Sequence, residues 1–341
     1  MPRKARVATT CLGTRRPRSV EHAREYGLEL LDLACTTAPD IVCLPENFST
    51  FSVVAPLSEK AEPVPGPTID ACARRAREHR TYVVCPLTNR RGGCYYNSAV
   101  IIDREGDIVG IYDKVQPVTS SADFTEIEHG MTPGRESPVF QLDFGAVGVQ
   151  ICFDLGYPRT WAELAERGAE LVFWPSAYNG GFPLRMFAYL HKYYVVSSVR
   201  QQHSRIINPL GEVLECTDRR AQVVSRRIDL DYIVCHYDFH GTIPRDLVDE
   251  YGAGVGIRTS DEESHFLVQS DSDEVALAEM IDRFGLESAD DYHARHLAAY
   301  EAILEGRRPE PQQSPYEHRV QYGCTWDHGR RPQANPSQDR S

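Results

Sequence analysis

The chain has 341 residues, 49 acidic and 37 Lys or Arg, giving a net charge of −12 at neutral pH and a pI near 5.5. That length suffices for one large core or two smaller ones, and the acidic balance excludes the concentrated basic surface that nucleic acid and anionic membranes require. No apolar run approaches the roughly 20 residues that span a bilayer, and Met1-Pro2-Arg3-Lys4-Ala5-Arg6 leads into a short strand, not a signal-peptide apolar stretch, so a cytoplasmic protein is expected. Cysteine usage agrees: Cys35, Cys43, Cys85 and Cys235 lie inside apolar runs, where a reduced thiol packs as a small hydrophobe. No Cys-x-x-Cys pair suggests zinc or redox chemistry. His293 and His296 share a helical face without an acidic partner in the motif and read as surface residues, so no metal is expected.

Arg6 to Cys11 reads as a strand, and Ser19 caps an amphipathic helix from Val20 to Cys35 with Leu28, Leu31 and Cys35 on one face. Ile41 to Leu44 is a buried strand. Thr68 opens a second helix to about His79, and Tyr82 to Pro86 is the strand after it, an alternation typical of layered α/β folds. Tyr95 to Asp103 and Asp107 to Asp113 form a hairpin about Arg104-Glu105-Gly106.

The second half repeats the pattern. Val139 to Leu142 and Ala146 to Cys152 are strands about Asp143-Phe144-Gly145, and Thr160-Trp161-Ala162-Glu163 is a capping box that starts a helix. Leu171 to Trp174 is a buried strand, Phe187 to Tyr194 is helical, and Val195 to Arg200, Ser204 to Ile207, Glu212 to Glu215 and Ala221 to Ile228 are strands, with a turn at Pro209-Leu210-Gly211. A core domain is expected over residues 1–237 and a C-terminal helical extension over 238–306, with acidic loops at Ser260 to Glu263 and Ser270 to Glu274 followed by helices at Glu274 to Phe284 and Ala289 to Leu304. Residues 307–341, rich in Pro, Gln and Arg, read as a disordered tail. Tyr316, Tyr322 and Trp326 leave open an arm that orders on a partner subunit.

Three strand-like runs end on residues of complementary chemistry: Glu46 in Leu44-Pro45-Glu46, Lys114 in Tyr112-Asp113-Lys114, and Cys152 after Val149-Gln150-Ile151. A thiol with a pKa of about 8.5 is mostly protonated at neutral pH and needs a base or a cationic neighbour to act as a nucleophile. Glu46 fits the base that takes this proton. Lys114 fits the cation that stabilises thiolate and oxyanion, together with the backbone N–H that follows Cys152.

These strand ends belong to a longer series: Leu44-Pro45-Glu46, Tyr96-Asn97-Ser98-Ala99, Tyr112-Asp113-Lys114, Thr132-Pro133-Gly134, Val149-Gln150-Ile151-Cys152-Phe153-Asp154, Trp174-Pro175-Ser176-Ala177 and Ile207-Asn208-Pro209-Leu210-Gly211-Glu212. In order and spacing the series resembles the nitrilase, or carbon-nitrogen hydrolase, superfamily over about Arg6 to Ile228. The resemblance implies a four-layer α-β-β-α sandwich, a Glu-Lys-Cys catalytic set without metal or organic cofactor, and a homo-oligomer. It also implies a second carboxylate within Phe124 to Gly130, for which Glu126 is preferred and Glu128 is the rival.

Phe153, Arg159 and Tyr178 are the candidate substrate contacts. Gly156-Tyr157-Pro158-Arg159 departs from the family pattern, with Gly156 widening the pocket and Arg159 placed either to meet a substrate carboxylate or to form a structural ion pair. Tyr178 lies in a loop after a strand end, where ligand contacts concentrate in α/β folds. The expected activity is hydrolysis of a small amide or N-carbamoyl compound through a thioester. Nitrile hydrolysis and soluble acyl transfer are the alternatives, since the same triad serves all three.

Overall fold

The computed structural model describes residues 3–238 and 241–309. They divide into two compact units, residues 3–230 and residues 231–309.

In the first unit each strand presents one face to a helix and the other to a second sheet. β1 (Lys4–Thr10), β2 (Ile41–Cys43), β3 (Tyr82–Arg91), β4 (Cys94–Ile102) and β5 (Ile108–Asp113) form one sheet, closed at its other edge by β12 (Val223–Asp229). β6 (Val139–Gln141), β7 (Ala146–Val149), β8 (Leu171–Ser176), β9 (Tyr194–Val199), β10 (Arg205–Ile207) and β11 (Val213–Cys216) form the other. Both six-stranded sheets share one pairing pattern. Read from β12 to β5, or from β6 to β11, successive pairs are antiparallel, parallel, parallel, antiparallel and antiparallel.

Each parallel crossover carries a helix: α1 (Val20–Cys35) and α3 (Pro67–His79) in the first sheet, α4 (Pro158–Glu166) and α5 (Phe182–His191) in the second, with the single turn α2 (Leu57–Lys60) before α3. Val42, Val83, Cys85, Val100 and Ile102 pack under α1 and α3 against Leu28, Leu31, Ile69 and Cys72. Val172, Trp174, Val195 and Ile207 pack with Trp161, Leu164 and Phe187 of α4 and α5. Each such aliphatic or aromatic side chain taken from water stabilises the fold by about 1.5–3 kcal/mol. The opposite strand faces meet each other: Thr9 Oγ1 donates to the Ser197 carbonyl at 2.6 Å, and Ser198 Oγ lies 2.9 Å from the Thr10 carbonyl and 3.0 Å from that of Cys43. The result is the four-layer α-β-β-α sandwich.

Several boundaries differ from the sequence reading. α1 and its Ser19 cap, whose side chain accepts from the His22 N–H, agree with it. α4 starts at Pro158 and not at a Thr160 cap, because proline at the first helical position has its φ already set; the Thr160 hydroxyl instead donates to the Tyr157 carbonyl at 3.0 Å. α5 begins at Phe182, again with proline in its first turn, and Tyr194 already belongs to β9.

Residues 231–309 contain more than helices. β13 (Tyr232–His236), β14 (Val255–Ser260) and β15 (His265–Ser270) pair antiparallel in the order β13-β15-β14, accompanied by α6 (Ile243–Tyr251), α7 (Leu277–Phe284) and α8 (Ala289–Leu304). Cys235, Ile243, Leu247, Phe266, Val268 and Met280 form its core. The sheet was illegible because β15 is buried on nearly every residue and so lacks the alternation that marks a half-exposed strand. Because β13 pairs with β15, the first unit ends at Leu230 and not at residue 237. The expected tail lies, from residue 310 onward, outside the described residues. No helix among the described residues is long and apolar enough to cross a membrane.

Candidate active site

Strand ends from both sheets bring three polar side chains together. Glu46 and Lys114, each 2 % exposed, follow β2 and β5, and Cys152 opens a 3-10 turn, Cys152–Gly156, shortly after β7. Lys114 Nζ lies 3.3 Å from Glu46 Oε1 and 3.0 Å from Glu128 Oε2. Asn97 Nδ2 donates to the same two carboxylates, at 2.8 Å to Glu46 Oε1 and 2.7 Å to Glu128 Oε1. One ammonium and one amide thus hold a pair of carboxylates that would otherwise repel each other.

The loops are set by close backbone packing. The ring of Phe48, two residues after Glu46, rests on Gly27 of α1 so tightly that a Cβ there would stand 2.0 Å from the ring. Gly134 packs on the Asp113 carbonyl, where a Cβ would come within 2.1 Å, and its N–H donates to the Lys114 carbonyl at 2.8 Å. Ser98 Oγ donates to Asp113 at 2.6 Å and fixes the end of β5.

Cys152 has φ +48°, a left-handed conformation that costs a side-chain-bearing residue on the order of 1–2 kcal/mol. Its surroundings over-determine it. The Cys152 carbonyl accepts from Trp174 Nε1 at 3.1 Å and from the Tyr178 hydroxyl at 3.3 Å. Buried Asp154 accepts from the Ile151 N–H at 2.8 Å, the Gln116 N–H at 2.8 Å and the Tyr112 hydroxyl at 2.6 Å. Asp154 therefore ties the cysteine turn to the segment that carries Lys114, a role not assigned from sequence although the residue stands in the Cys152-Phe153-Asp154 block.

Electrostatics follow from this packing. Burial raises the Glu46 pKa, but Lys114, Arg200, Asn97 and the thiol together outweigh it, so the carboxyl sits below its ordinary range. Lys114 is moved the other way: burial lowers it, while Glu46, Cys152 and Glu128 raise it to a net increase. Burial and the Glu46 charge push the Cys152 thiol up to about 12 against the lowering by Lys114, the Ala177 N–H and Ser176. The resting site accordingly holds an anionic Glu46, a cationic Lys114 and a neutral thiol. Glu46 Oε2 accepts no hydrogen bond among the described residues and is 3.8 Å from Arg200 Nη2, which leaves that oxygen available for a proton.

Of the residues singled out in sequence, Glu46, Lys114 and Cys152 converge, and Tyr178 joins them through the Cys152 carbonyl. Phe153 is 38 % exposed beside the nucleophile, its ring edge-on to Tyr157 at 5.8 Å.

Two others are placed elsewhere. Glu126 points away: its side chain is 51 % exposed and accepts from Ser120 Oγ at 2.9 Å. Glu128 occupies the position expected of Glu126, because the segment is not extended; φ +41° at Glu128 and +58° at His129 turn its side chain inward. Arg159, with a side chain 90 % exposed, pairs with Glu163 at 2.8 Å one helical turn on, so it forms the structural ion pair and not a pocket contact. Asn97, Ser176, Ala177 and Arg200 were not identified beforehand; the first three stand in the quoted motif blocks, and Arg200 carried no local signal. Among the described residues no three His, Cys, Asp or Glu side chains converge as metal ligands.

Two six-stranded sheets with helices outside carry a Glu-Lys-Cys cluster at the strand ends between them, and the class of protein is a carbon-nitrogen hydrolase. The chain belongs to the carbon-nitrogen hydrolase family, whose signature covers residues 7–234. It is 32% identical over 158 residues to beta-ureidopropionase from Arabidopsis thaliana, covering 44% of this chain and only 38% of that relative's length. It is 26% identical over 227 residues to omega-amidase NIT2 from Xenopus tropicalis, covering 60% of this chain and 82% of that protein. Among solved structures, Nit3 of Saccharomyces cerevisiae, a member of branch 10 of the nitrilase superfamily, matches with a TM-score of 0.58 at 19% identity, over 66% of this chain and 90% of its own. An amidase from Nesterenkonia sp. matches with a TM-score of 0.56 at 20% identity, over 67% and 91%. These two share the fold.

Proposed function

We propose that this protein hydrolyses a small amide or N-carbamoyl compound with Cys152 as nucleophile. The observation that carries the proposal is the buried contact of Glu46 with Lys114 beside a neutral thiol, with Glu46 Oε2 accepting no hydrogen bond among the described residues. As Cys152 Sγ attacks the carbonyl carbon, Glu46 takes the thiol proton. Lys114 Nζ and a backbone N–H stabilise the oxyanion. Glu46 then passes the proton to the nitrogen, the C–N bond breaks, and ammonia or an amine leaves a thioester. Water attacks the thioester with Glu46 as base, releasing the acid and restoring the thiol. Glu128 and Asn97 hold Lys114 and Glu46 in register through these steps.

Amide and carbamoyl substrates are favoured over nitriles by the names of the relatives, an omega-amidase and a beta-ureidopropionase among them. The same proposal carries the expectations of a cytoplasmic, homo-oligomeric protein that needs no metal or organic cofactor. A screen of small amides, N-carbamoyl compounds and nitriles for ammonia release, with Cys152→Ala as control, tests it. Turnover of an amide or carbamoyl compound that vanishes in Cys152→Ala is expected; equal turnover in the variant refutes the nucleophile.

A further inference from the structure

Cys152 and Lys114 are anchored from opposite sides of the site. The Cys152 carbonyl accepts from Trp174 of β8 and from Tyr178 in the loop after it. The Lys114 N–H donates to the Asn97 carbonyl at 2.8 Å, and the Lys114 carbonyl accepts from the Gly134 N–H. Buried Asp154 joins the two sides. One of its carboxylate oxygens accepts from the Gln116 N–H, two residues after Lys114; the other accepts from the Tyr112 hydroxyl, two residues before it, and from the Ile151 N–H that precedes the nucleophile. Its backbone is held as well, with the N–H donating to the Ile151 carbonyl at 3.0 Å and the carbonyl accepting from the Trp161 indole at 3.1 Å. The turn closed in this way keeps Cys152 at φ +48°, a conformation that a cysteine leaves once the contacts imposing it are weakened.

Resting on the hydrolase reading above, we propose that Asp154 is a positioning residue of the reaction: its carboxylate fixes the Cys152 turn against the Lys114 segment and so sets where the sulfur stands relative to the ammonium. An ionised carboxylate only accepts, and it meets three donors here; asparagine would turn an amide N–H toward at least one of them. Hydrogen bonds to an ionised acceptor are roughly twice as strong as neutral ones, so a proton on Asp154 slackens the clamp. The titratable and charged groups that face it are Tyr112 of β5, Lys114 just beyond, and Tyr178 after β8. Burial pushes Asp154 up to about 6, against the lowering by the Tyr112 hydroxyl, the Ile151 and Gln116 N–H groups and Lys114. Glu46 sits below the ordinary carboxyl range, so it stays ionised while Asp154 titrates.

The test follows two readouts between pH 5 and pH 8 in wild type, Asp154→Asn and Tyr112→Phe. One is kcat and KM on an amide or N-carbamoyl compound that wild type hydrolyses. The other is the rate at which iodoacetamide alkylates Cys152, read on the peptide that carries it by mass spectrometry, which needs no substrate. Expected in Asp154→Asn are a kcat about 100-fold lower with KM within about twofold, the loss that follows when a reacting group is misplaced by about 1 Å, and slower alkylation of Cys152. Both wild-type rates should break downward as pH falls through about 6. Tyr112→Phe keeps the ring but takes one donor from the ionised carboxylate, so the break moves up by about one pH unit. Unchanged kcat and alkylation in Asp154→Asn, or a break that is absent or stays in place in Tyr112→Phe, overturns the proposal. Where Asp154→Asn does not fold, the shift in Tyr112→Phe decides alone. A break in alkylation that moves in Tyr112→Phe, without turnover of any compound by wild type, keeps the positioning role and removes the hydrolase reading. Turnover that Cys152→Ala abolishes and that neither variant alters does the reverse.

Discussion

Replacing Lys114 by Met removes the one ammonium between two carboxylates. Its Nζ is 3.3 Å from Glu46 and 3.0 Å from Glu128, and the side chains are 1 %, 3 % and 16 % exposed. At an effective dielectric of about 20, each contact is worth about 5 kcal/mol of Coulomb attraction. The ammonium's own desolvation offsets part of this, and loss of one partner from a buried pair costs about 3–5 kcal/mol net. The deficit depends on pH. In wild type the Glu46 pKa is lowered, so its stabilising contribution is present above the unfolded carboxylate value and is lost as pH falls through the folded one. In the variant Glu46, buried and without its ammonium, favours a proton, its folded affinity for it rises, and stability is lost as pH rises. The gap between wild type and Lys114→Met therefore widens from pH 5 to pH 8. Urea denaturation at the two pH values reads it directly. A gap below about 1 kcal/mol, the ceiling for an exposed ion pair, or one that is the same at both pH values, refutes the assignment of Lys114 as the cation that holds this pair.

Glu128→Gln is expected to lower kcat about 100-fold, while Glu126→Gln and Arg159→Ala stay within about twofold, because of these three only Glu128 contacts Lys114 and Asn97; steady-state kinetics on one amide decide it. Gly27→Ala places a Cβ 2.0 Å from the Phe48 ring and should destabilise the protein by about 1–3 kcal/mol, read as a lower denaturation midpoint. Burial pushes Asp154 up to about 6, outweighing the lowering by Tyr112 and the two backbone N–H donors. A raised carboxylate contributes stability that is complete below its unfolded value and lost as pH rises through the folded one. Wild type should therefore gain stability relative to Asp154→Asn between pH 7 and pH 4, by about 2 kcal/mol; a difference that does not change with pH contradicts that environment.

The residues of the cluster were legible to different degrees, and for physical reasons. Cys152, Glu46 and Lys114 stand out in the sequence because each ends an apolar run of strand type, and strand ends are local features. The helix from Val20 to Cys35 is equally local, fixed by a Ser19 cap and a 3.6-residue stripe. The choice between Glu126 and Glu128 was not, because an extended segment puts both on one face, whereas the chain here turns through positive φ at Glu128 under contacts made by residues distant in sequence. Asn97 as the bridge between carboxylates, Asp154 as the tie between the cysteine turn and the segment of Lys114, and Arg200 beside Glu46 also arise only when separate strand ends meet.

The sequence by itself determined the layered α/β pattern, the order of the strand ends and the acid, base and thiol they carry, since periodicity and end residues act within a few positions. Tertiary structure alone decided which carboxylate faces Lys114 and how the thiol and its neighbours are charged. Burial and Coulomb interaction depend on distances through space, and those exist only once the sheets have packed.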